Sequence, residues 1–243
     1  MTSSAPNGFG TLYGIGVGPG DPELLTLKAH RLLLSTPVVA FLAPNEGESF
    51  ARRIVAPYLD GAGKEEILVR MPMRADRLPS HEVYDRTSGK LAAHLKAGRD
   101  VAFLCQGDPF FYGSFMYLYS RMVDDFRVEV VPGVSSIMAS GASMGAALAS
   151  RNDTLTVLPG PLPAEELETR LAAADAAVII KVGNHFEKIR DILAASGLLS
   201  QSRYIECATL ESERILSLEE VDPGQVPYFS MILVHKRGDA WKI

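Results

Sequence analysis

The sequence predicts an α/β protein of two domains, with a mainly parallel sheet in the N-terminal domain and a mixed sheet in the C-terminal one. In the first half, short β-branched runs alternate with stretches of helical period, which is typical of parallel strands joined by helices. A small-residue-rich stretch, 132–148 (PGVSSIMASGASMGAAL), then interrupts this alternation. In the second half, the runs 213–218 (ERILSL) and 228–235 (YFSMILVH) lie too close together for a helix between them, which favours antiparallel pairing. We therefore expect a flexible tail at 1–8, an N-terminal α/β domain at 9–132, a connecting helix at 133–151 and a C-terminal α/β domain at 152–243.

The first half contains five apolar runs of strand length and three helical segments between them. The predicted strands are 10–17, 37–42, 65–70, 100–105 and 126–131. One predicted helix starts at Pro22, with Asp21 as its N-cap, because proline is favoured at the first helical position and aspartate before it. The other two cover about 83–97 and 114–122. The alternation predicts helices on both faces of the sheet.

The second half contains five further runs of strand character and one clear helical pattern. The predicted strands are 154–160, 176–182, 204–210, 213–218 and 228–235, and the helix covers about 185–195.

Composition excludes several classes of function. The chain has 243 residues and a net charge of -5. It therefore lacks the excess of positive charge that is typical of nucleic-acid-binding proteins. Its two cysteines, Cys105 and Cys207, lie in separate apolar runs, so we expect neither a metal site nor a disulfide framework, and a cytoplasmic location. The N-terminus has no signal-peptide pattern, and no apolar run approaches the roughly 20 residues that a membrane helix needs. We expect no nucleic-acid or membrane partner.

The stretch 14–26 (GIGVGPGDPELLT), the first glycine loop, resembles a phosphate-binding loop but fails each test for one. The dinucleotide fingerprint needs a sixth-position glycine, and the three frames starting at Gly14, Gly16 and Gly18 place Pro19, Asp21 and Glu23 there. The Gly-Lys-Ser/Thr ending of a P-loop is also missing. Asp21 would compete with a phosphate for the amides at the helix N-terminus. The glycines therefore either shape a tight turn or allow the backbone to approach a ligand without phosphate.

Two other loops strengthen the ligand interpretation. The second loop, 105–114 (CQGDPFFYGS), follows the fourth predicted strand, and the third loop, 131–136 (VPGVSS), follows the fifth. Ligands of open parallel sheets bind outside the carboxyl ends of the strands. We expect the three loops to converge on one site.

The three loops, in this order and at these separations, resemble those of the tetrapyrrole methylases, which transfer methyl groups from S-adenosylmethionine. The resemblance covers about 9–235, and the stretches 12–29, 107–118, 151–160 and 227–236 are most similar to the family members that methylate C20 of precorrin-2. It implies two α/β domains with the active site in the trough between them, a homodimer, and S-adenosylmethionine as methyl donor, leaving S-adenosylhomocysteine.

The resemblance also implies which residues contact the cofactor. In the N-terminal domain they are Gly18, Pro19, Gly20, Gly107, Asp108, Pro109, Tyr112, Ser135 and Ser136. In the C-terminal domain they are Val182, Ala208, Thr209 and Ser230. The Asp108 carboxylate can take the ribose hydroxyls or the ammonium group, or cap its own loop.

Methyl transfer is an in-line displacement, so positioning should dominate catalysis and no covalent nucleophile is required. Asp21, Tyr112 or water is expected to assist removal of the proton from the methylated carbon. Precorrin-2 carries many carboxylates, and Arg70, Arg74 and Arg77 are candidate partners for them. The alternatives are a cobalt-containing precorrin-2, another substrate within the family, such as ribosomal RNA, and an NAD-dependent enzyme, which would need the fingerprint that is missing.

Overall fold

The computed structural model describes residues 8–71 and 78–237, with the backbone alone for 78–80. Contacts between Cα atoms divide the chain into two compact units, with the division after Ser135. In the part of the chain that the structure describes, no helix has the length and apolar character needed to span a bilayer.

The first unit contains one five-stranded sheet in which all the strands are parallel. The strands are β1 (Thr11–Gly16), β2 (Val38–Pro44), β3 (Glu65–Met71), β4 (Val101–Cys105) and β5 (Arg127–Val131). Their order across the sheet is β3-β2-β4-β1-β5. The predicted parallel sheet is confirmed.

Helices cover both faces of this sheet. They are α1 (Leu27–Ser35), α2 (Phe50–Ile54), α3 (Ala56–Leu59), α4 (Leu78–Lys96) and α5 (Phe115–Met122). Because side chains alternate across a strand, Val39 and Phe41 of β2 pack with α1, α2 and α3, whereas Val38 and Ala40 pack with α4 and α5. This alternation explains why β2 is an almost continuous apolar run.

The second unit contains a mixed five-stranded sheet, which confirms the second part of the predicted fold class. Its elements are α6 (Ser136–Ser143), β6 (Leu155–Pro159), α7 (Ala164–Ala173), β7 (Ala176–Ile180), α8 (Phe186–Ala195), β8 (Ser202–Glu206), β9 (Arg214–Leu216) and β10 (Ser230–His235). The strand order is β6-β7-β10-β8-β9, with β6 and β7 parallel and the other neighbours antiparallel.

The helix expected from Pro22 begins later than predicted. Asp21 is an N-cap as expected, since its carboxylate accepts from the amide of Glu23, but it caps only a 3-10 turn, Pro22–Leu24. Thr26 then starts α1, because its hydroxyl accepts from the amide of Ala29 at 3.2 Å. Two successive capping residues thus replace one continuous helix by a turn and a helix.

The helical part of the connecting segment 133–151 is shorter than predicted. Only Ser136–Ser143 is helical. Gly145 has a left-handed backbone (φ +57°), its amide donates to Ala142, and the amide of Ala146 donates to Gly141. This pair of bonds is a Schellman motif, which ends a helix.

Candidate functional site

The three loops of the first unit follow strands that end at the same level of the sheet. Gly16, at the end of β1, is paired with Cys105 of β4, and Ile15 is paired with Val131 of β5. The first, second and third loops therefore leave the sheet side by side, as expected from its parallel topology.

A two-residue bridge joins the first loop to the second. Gly107 donates its amide to the carbonyl of Gly18 at 2.7 Å, and the amide of Gly18 donates back at 3.3 Å. Both residues have a left-handed backbone, with φ of +82° at Gly18 and +64° at Gly107. Because side chains strain this conformation, glycine is strongly favoured at both positions.

Two further glycines bring the backbones into direct contact. A Cβ atom on Gly16 would lie 2.5 Å from the amide nitrogen of Gly133 and 2.6 Å from the carbonyl oxygen of Gly107. A Cβ atom on Gly133 would lie 2.1 Å from that same carbonyl oxygen. In each case the obstructing atom belongs to the backbone, so it cannot move aside by a side-chain rotation. Backbone of the three loops therefore packs directly against backbone at these positions.

Asp108 fastens the second loop internally and ties it to the third. One carboxylate oxygen accepts from the amides of Phe110 at 2.9 Å and Phe111 at 3.1 Å. The other accepts from the amide of Gly133 at 3.1 Å. Of the two roles expected for this side chain, the structure contains the capping one. A ligand could reach the Asp108 carboxylate only by sharing oxygens that already accept these amides.

The two candidate proton acceptors occupy different settings. Asp21 uses one carboxylate oxygen to cap the turn, with 2.8 Å to the amide of Glu23. Tyr112 is 47% exposed and has a left-handed backbone (φ +54°), which is uncommon for a bulky residue. Its position is fixed by its neighbour Gly113, where a Cβ atom would lie 2.3 Å from the carbonyl oxygen of Pro109.

Pro19 and Gly20, the remaining cofactor candidates of the first loop, are both buried.

In the second unit, the candidate positions follow neighbouring strands at one edge of the sheet. Ser230, which begins β10, pairs with Glu206 at the end of β8, and Met231 pairs with Ile180 at the end of β7. Val182, Ala208 and Thr209 follow these strand ends. The topology therefore brings all four candidates of this unit to the same edge.

The backbone at this edge is strained. Left-handed conformations occur at three non-glycine residues, Lys181 (φ +57°), Cys207 (φ +53°) and Thr209 (φ +67°). Each costs of the order of 1–3 kcal/mol, and such residues cluster at ligand-binding sites. Lys181 and Cys207 are additional candidates that sequence reasoning missed, because the identity of a non-glycine residue gives no sign of a positive φ.

Three of the four candidates in the second unit have side chains that are buried or bonded. Val182 is fully buried in the hydrophobic core, and Ala208 is buried as well. The Ser230 hydroxyl donates to the carbonyl of Pro227 at 2.7 Å. These three positions are better suited to present backbone groups than side chains to a ligand. Thr209 differs, because its backbone amide already donates to the carboxylate of Glu213 at 2.6 Å.

Ser135 and Ser136 end the third loop, where Ser136 is the first residue of α6. Both are half-buried. These hydroxyl residues lie beside the backbone amides of the first turn of α6, so the pair combines donors and acceptors in a short stretch.

Arg70 lines a cavity of about 400 Å³ in the first unit, together with Arg52 and Arg53. One nitrogen of its guanidinium donates to the carbonyls of Pro44 at 2.8 Å and Gly47 at 2.6 Å. Arg52 is paired with Asp60 and Glu66, and its hydrogen bonds to Glu66 are the main cause of a raised pKa. Arg74 and Arg77, the other two predicted substrate contacts, lie outside the described residues.

Residues 8–71 and 78–237 contain no group of three or more histidine, cysteine or acidic side chains that could hold a metal ion.

The fold and the loops agree with comparison to known proteins. The family model described as Tetrapyrrole (Corrin/Porphyrin) Methylases matches residues 11–222, and the chain belongs to this family. The resemblance inferred from the three loops is thereby confirmed.

Among curated relatives, the cobalamin biosynthesis protein CobIJ of Mycobacterium tuberculosis is 42% identical over 93% of this chain and 46% of its own length. The chain thus spans about half the length of its mycobacterial relatives. The precorrin-2 C(20)-methyltransferase of a Sinorhizobium species is 40% identical over 93% of this chain and 96% of its own. The cobalt-precorrin-2 C(20)-methyltransferase of Salmonella typhimurium is 35% identical over 94% and 97%.

Two solved structures have the same fold. The cobalt precorrin-4 methyltransferase CbiF aligns with a TM-score of 0.71 and 25% identity, over 96% of this chain and 98% of its own. The uroporphyrin-III C-methyltransferase of Thermus thermophilus, complexed with S-adenosyl homocysteine, aligns with a TM-score of 0.64 and 29% identity, over 93% and 97%.

Proposed function

We propose that this chain is an S-adenosylmethionine-dependent C-methyltransferase that methylates C20 of precorrin-2 to give precorrin-3A in cobalamin biosynthesis. The observation that carries the proposal is the 40% identity to the Sinorhizobium precorrin-2 C(20)-methyltransferase, which extends over nearly the whole of both chains. The three loops support it, because they bring backbone groups and no phosphate-binding signature to one edge of the sheet.

The edge of the first unit fits S-adenosylmethionine chemically. The molecule has no phosphate, and the Asp21 carboxylate already occupies the amide where a phosphate would bind. The glycines at 16, 18, 107 and 133 let the three loop backbones pack closely at this edge, and we propose that amides and carbonyls of these loops read the adenine edge and the amino-acid end. We propose cofactor contacts from the three loops, with Asp108 acting mainly as the brace that holds the second loop.

In the second unit, Val182, Ala208, Thr209 and Ser230 remain proposed cofactor contacts. The buried side chains of Val182 and Ala208 and the bonded hydroxyl of Ser230 support contact through backbone groups. The strained residues beside them, Lys181 and Cys207, support a preformed edge that does not need to reorganise on binding.

When bound, the cofactor supplies an electrophilic methyl group on a positively charged sulfur. The task of the protein is to hold the accepting carbon in line with that bond and to receive a proton afterwards. Asp21, Tyr112 and water remain the proposed proton acceptors. We propose that Arg70 binds a substrate carboxylate through guanidinium nitrogens other than the one that donates to Pro44 and Gly47.

Cobalt-precorrin-2 is the second candidate substrate. The 35% identity to the Salmonella enzyme over nearly the full length of both chains favours it. The cobalt ion would be part of the substrate and would need no ligands from this chain.

The test is methylation of both forms by the purified protein. Incubation with S-adenosylmethionine and either precorrin-2 or cobalt-precorrin-2, under anaerobic conditions, is followed by mass spectrometry and by assignment of the methylated carbon by NMR. The proposal expects a product one methyl group heavier, modified at C20, with a higher kcat/KM for precorrin-2. The absence of a mass gain with both forms would disprove it.

Two further features are proposed from family membership. We expect a homodimer, which light scattering would show as twice the chain mass of 26.3 kDa. We also expect a cytoplasmic location, to which the two unpaired thiols of Cys105 and Cys207 are suited.

A further inference from the structure

The second loop exposes three consecutive aromatic side chains. Phe110, Phe111 and Tyr112 are 46%, 42% and 47% exposed. Half-exposed aromatic residues that are adjacent in the chain and lie beside a ligand-binding edge commonly mark a contact surface.

Phe110 is explained by packing on α5. Its ring lies 6.3 Å from that of Phe115 and 5.1 Å from that of Tyr119, between ring centroids. Phe111 instead contacts Tyr112, at 5.1 Å and an interplanar angle of 89°. These two rings form an aromatic pair, residues 111 and 112, and among the ring contacts of the described residues Phe111 makes none with α5.

The backbone holds this pair in its exposed position. Asp108 accepts from the amides of Phe110 and Phe111, which fixes the start of the turn. Tyr112 has a left-handed backbone, and the tight approach of Gly113 to the carbonyl of Pro109 closes the turn. Because the loop is braced at both ends, the aromatic pair cannot fold back onto the sheet without breaking these bonds. The exposure is therefore built into the loop.

The chemistry of the pair selects an apolar partner of aromatic character. A phenylalanine ring offers no hydrogen bond, and its attraction is to apolar surface and to the faces and edges of other π-systems. The macrocycle of a reduced tetrapyrrole offers such a surface, with its carboxylates at the periphery. Two side chains are far too few for a stable protein interface, which needs about 800 Å² from each partner.

We propose that Phe111, supported by Tyr112, contacts the macrocycle of the tetrapyrrole substrate and orients it beside the methyl donor. This inference rests on the proposed function. It assigns the cofactor to the loop backbone and the substrate ring to Phe111, so the two ligands should respond differently to substitution.

The experiment uses the full chain with Phe111→Ala, Phe111→Leu and Phe111→Tyr. Precorrin-2 is titrated calorimetrically into protein saturated with S-adenosylhomocysteine, so that binding is measured without turnover, and S-adenosylhomocysteine is titrated separately. Phe111→Ala should weaken precorrin-2 binding about 10- to 100-fold, the loss expected for an exposed apolar contact of this size, and raise KM more than it lowers kcat. Affinity for S-adenosylhomocysteine should stay within about twofold. Phe111→Tyr should restore binding, and Phe111→Leu should restore it in part.

Tyr117→Ala is the matched control, because Tyr117 is an aromatic residue of similar exposure (45%) that packs on Tyr84 instead of Tyr112. It should leave precorrin-2 affinity unchanged. Urea denaturation of each variant checks that the fold is retained.

Three results would overturn the inference: an unchanged precorrin-2 affinity in Phe111→Ala, an equal loss of S-adenosylhomocysteine affinity, or a change of oligomeric state in that variant. Each is distinguishable from failure of the proposed function, in which the wild-type protein itself would not methylate precorrin-2.

Discussion

At the scale of single residues, the site depends on the absence of side chains. Gly133→Ala would place a methyl group 2.1 Å from the carbonyl oxygen of Gly107, so the backbone of two loops must move. We expect a loss of about 1–3 kcal/mol in the free energy of unfolding, together with weaker S-adenosylhomocysteine binding.

Gly89→Ala is the control, since Gly89 lies within α4 and a Cβ atom there would meet no neighbouring group within 4 Å. It should stabilise the protein by about 0.5–1 kcal/mol, because alanine is the better helix former. Urea denaturation measures both, and equal effects of the two substitutions would contradict the prediction.

Asp108 provides a second prediction at this scale. In Asp108→Asn, the amide oxygen can still accept from Phe110 and Phe111, but the nitrogen cannot accept from Gly133. We expect a loss of about 1–2 kcal/mol in unfolding free energy, because the bond between the second and third loops is removed. Asp175→Asn is the control, since its amide oxygen can still accept from the amide of Thr154, and it should change stability by less than about 0.5 kcal/mol. If the two variants lose the same stability, the bond to Gly133 contributes nothing.

At the scale of elements, the strands were more predictable than the helices. Within the described residues each strand overlaps a run that the sequence indicates, and the buried strands do so because a strand covered by helices is nearly continuously apolar. The run 204–210 was predicted with the wrong bounds, since β8 covers Ser202–Glu206 and residues 207–210 form a turn. The short helices α2 and α3, between β2 and β3, were missed, although Ser49 caps α2 by accepting from the amide of Arg52. A helix of five residues is too short to display a period, so only its cap could have indicated it. The helix α7 was missed as well.

The connection between β6 and β10 gives a pH prediction. Asp153 precedes β6, and its carboxylate accepts from the amide of Ser150 at 2.8 Å and pairs with Arg237, with His235 at 3.3 Å. The hydrogen bond from Ser150 is the main cause of a pKa below the ordinary 3.8. A carboxyl group whose pKa is lower in the folded state stabilises the protein at pH values above its ordinary pKa. This stabilisation is lost as the pH falls through the pKa that the group has in the folded state.

Wild type and Asp153→Asn should therefore differ most in urea midpoint at about pH 5, and the difference should shrink below about pH 3.8. Other carboxyl groups with lowered pKa, such as Glu65 and Glu220, titrate in both proteins and cancel in the comparison. A difference that stays constant down to about pH 3 would show that Asp153 does not contribute in this way.

At the scale of the whole molecule, the class of site was predictable and its construction was not. The failed dinucleotide frames and the order of the three loops indicated a ligand without phosphate at one edge of a parallel sheet. The bond from Gly133 to Asp108 joins residues 25 positions apart, and the left-handed backbones of Tyr112, Lys181 and Cys207 depend on tertiary packing. Neither is encoded in a local pattern, so neither could be inferred before the fold.

The preference for the methyl donor over a dinucleotide can be measured on the intact protein. A ligand that binds only the folded state stabilises it by about 2.7 kcal/mol at a concentration one hundred times its Kd. S-adenosylhomocysteine should raise Tm in a concentration-dependent way, and NAD at the same concentrations should leave it unchanged. Thermal denaturation followed by circular dichroism provides the measurement, and an equal rise with NAD would refute the assignment of the cofactor.

The mutual contacts of Gly16, Gly107 and Gly133 also limit how this protein can change over evolutionary time. Each of the three occupies space that a side chain on another would need, so no single replacement is relieved by a second one within the set. We therefore expect these three positions to tolerate little change. Variation at this edge of the sheet would instead have to occur at positions whose side chains are exposed, such as Phe111 and Tyr112.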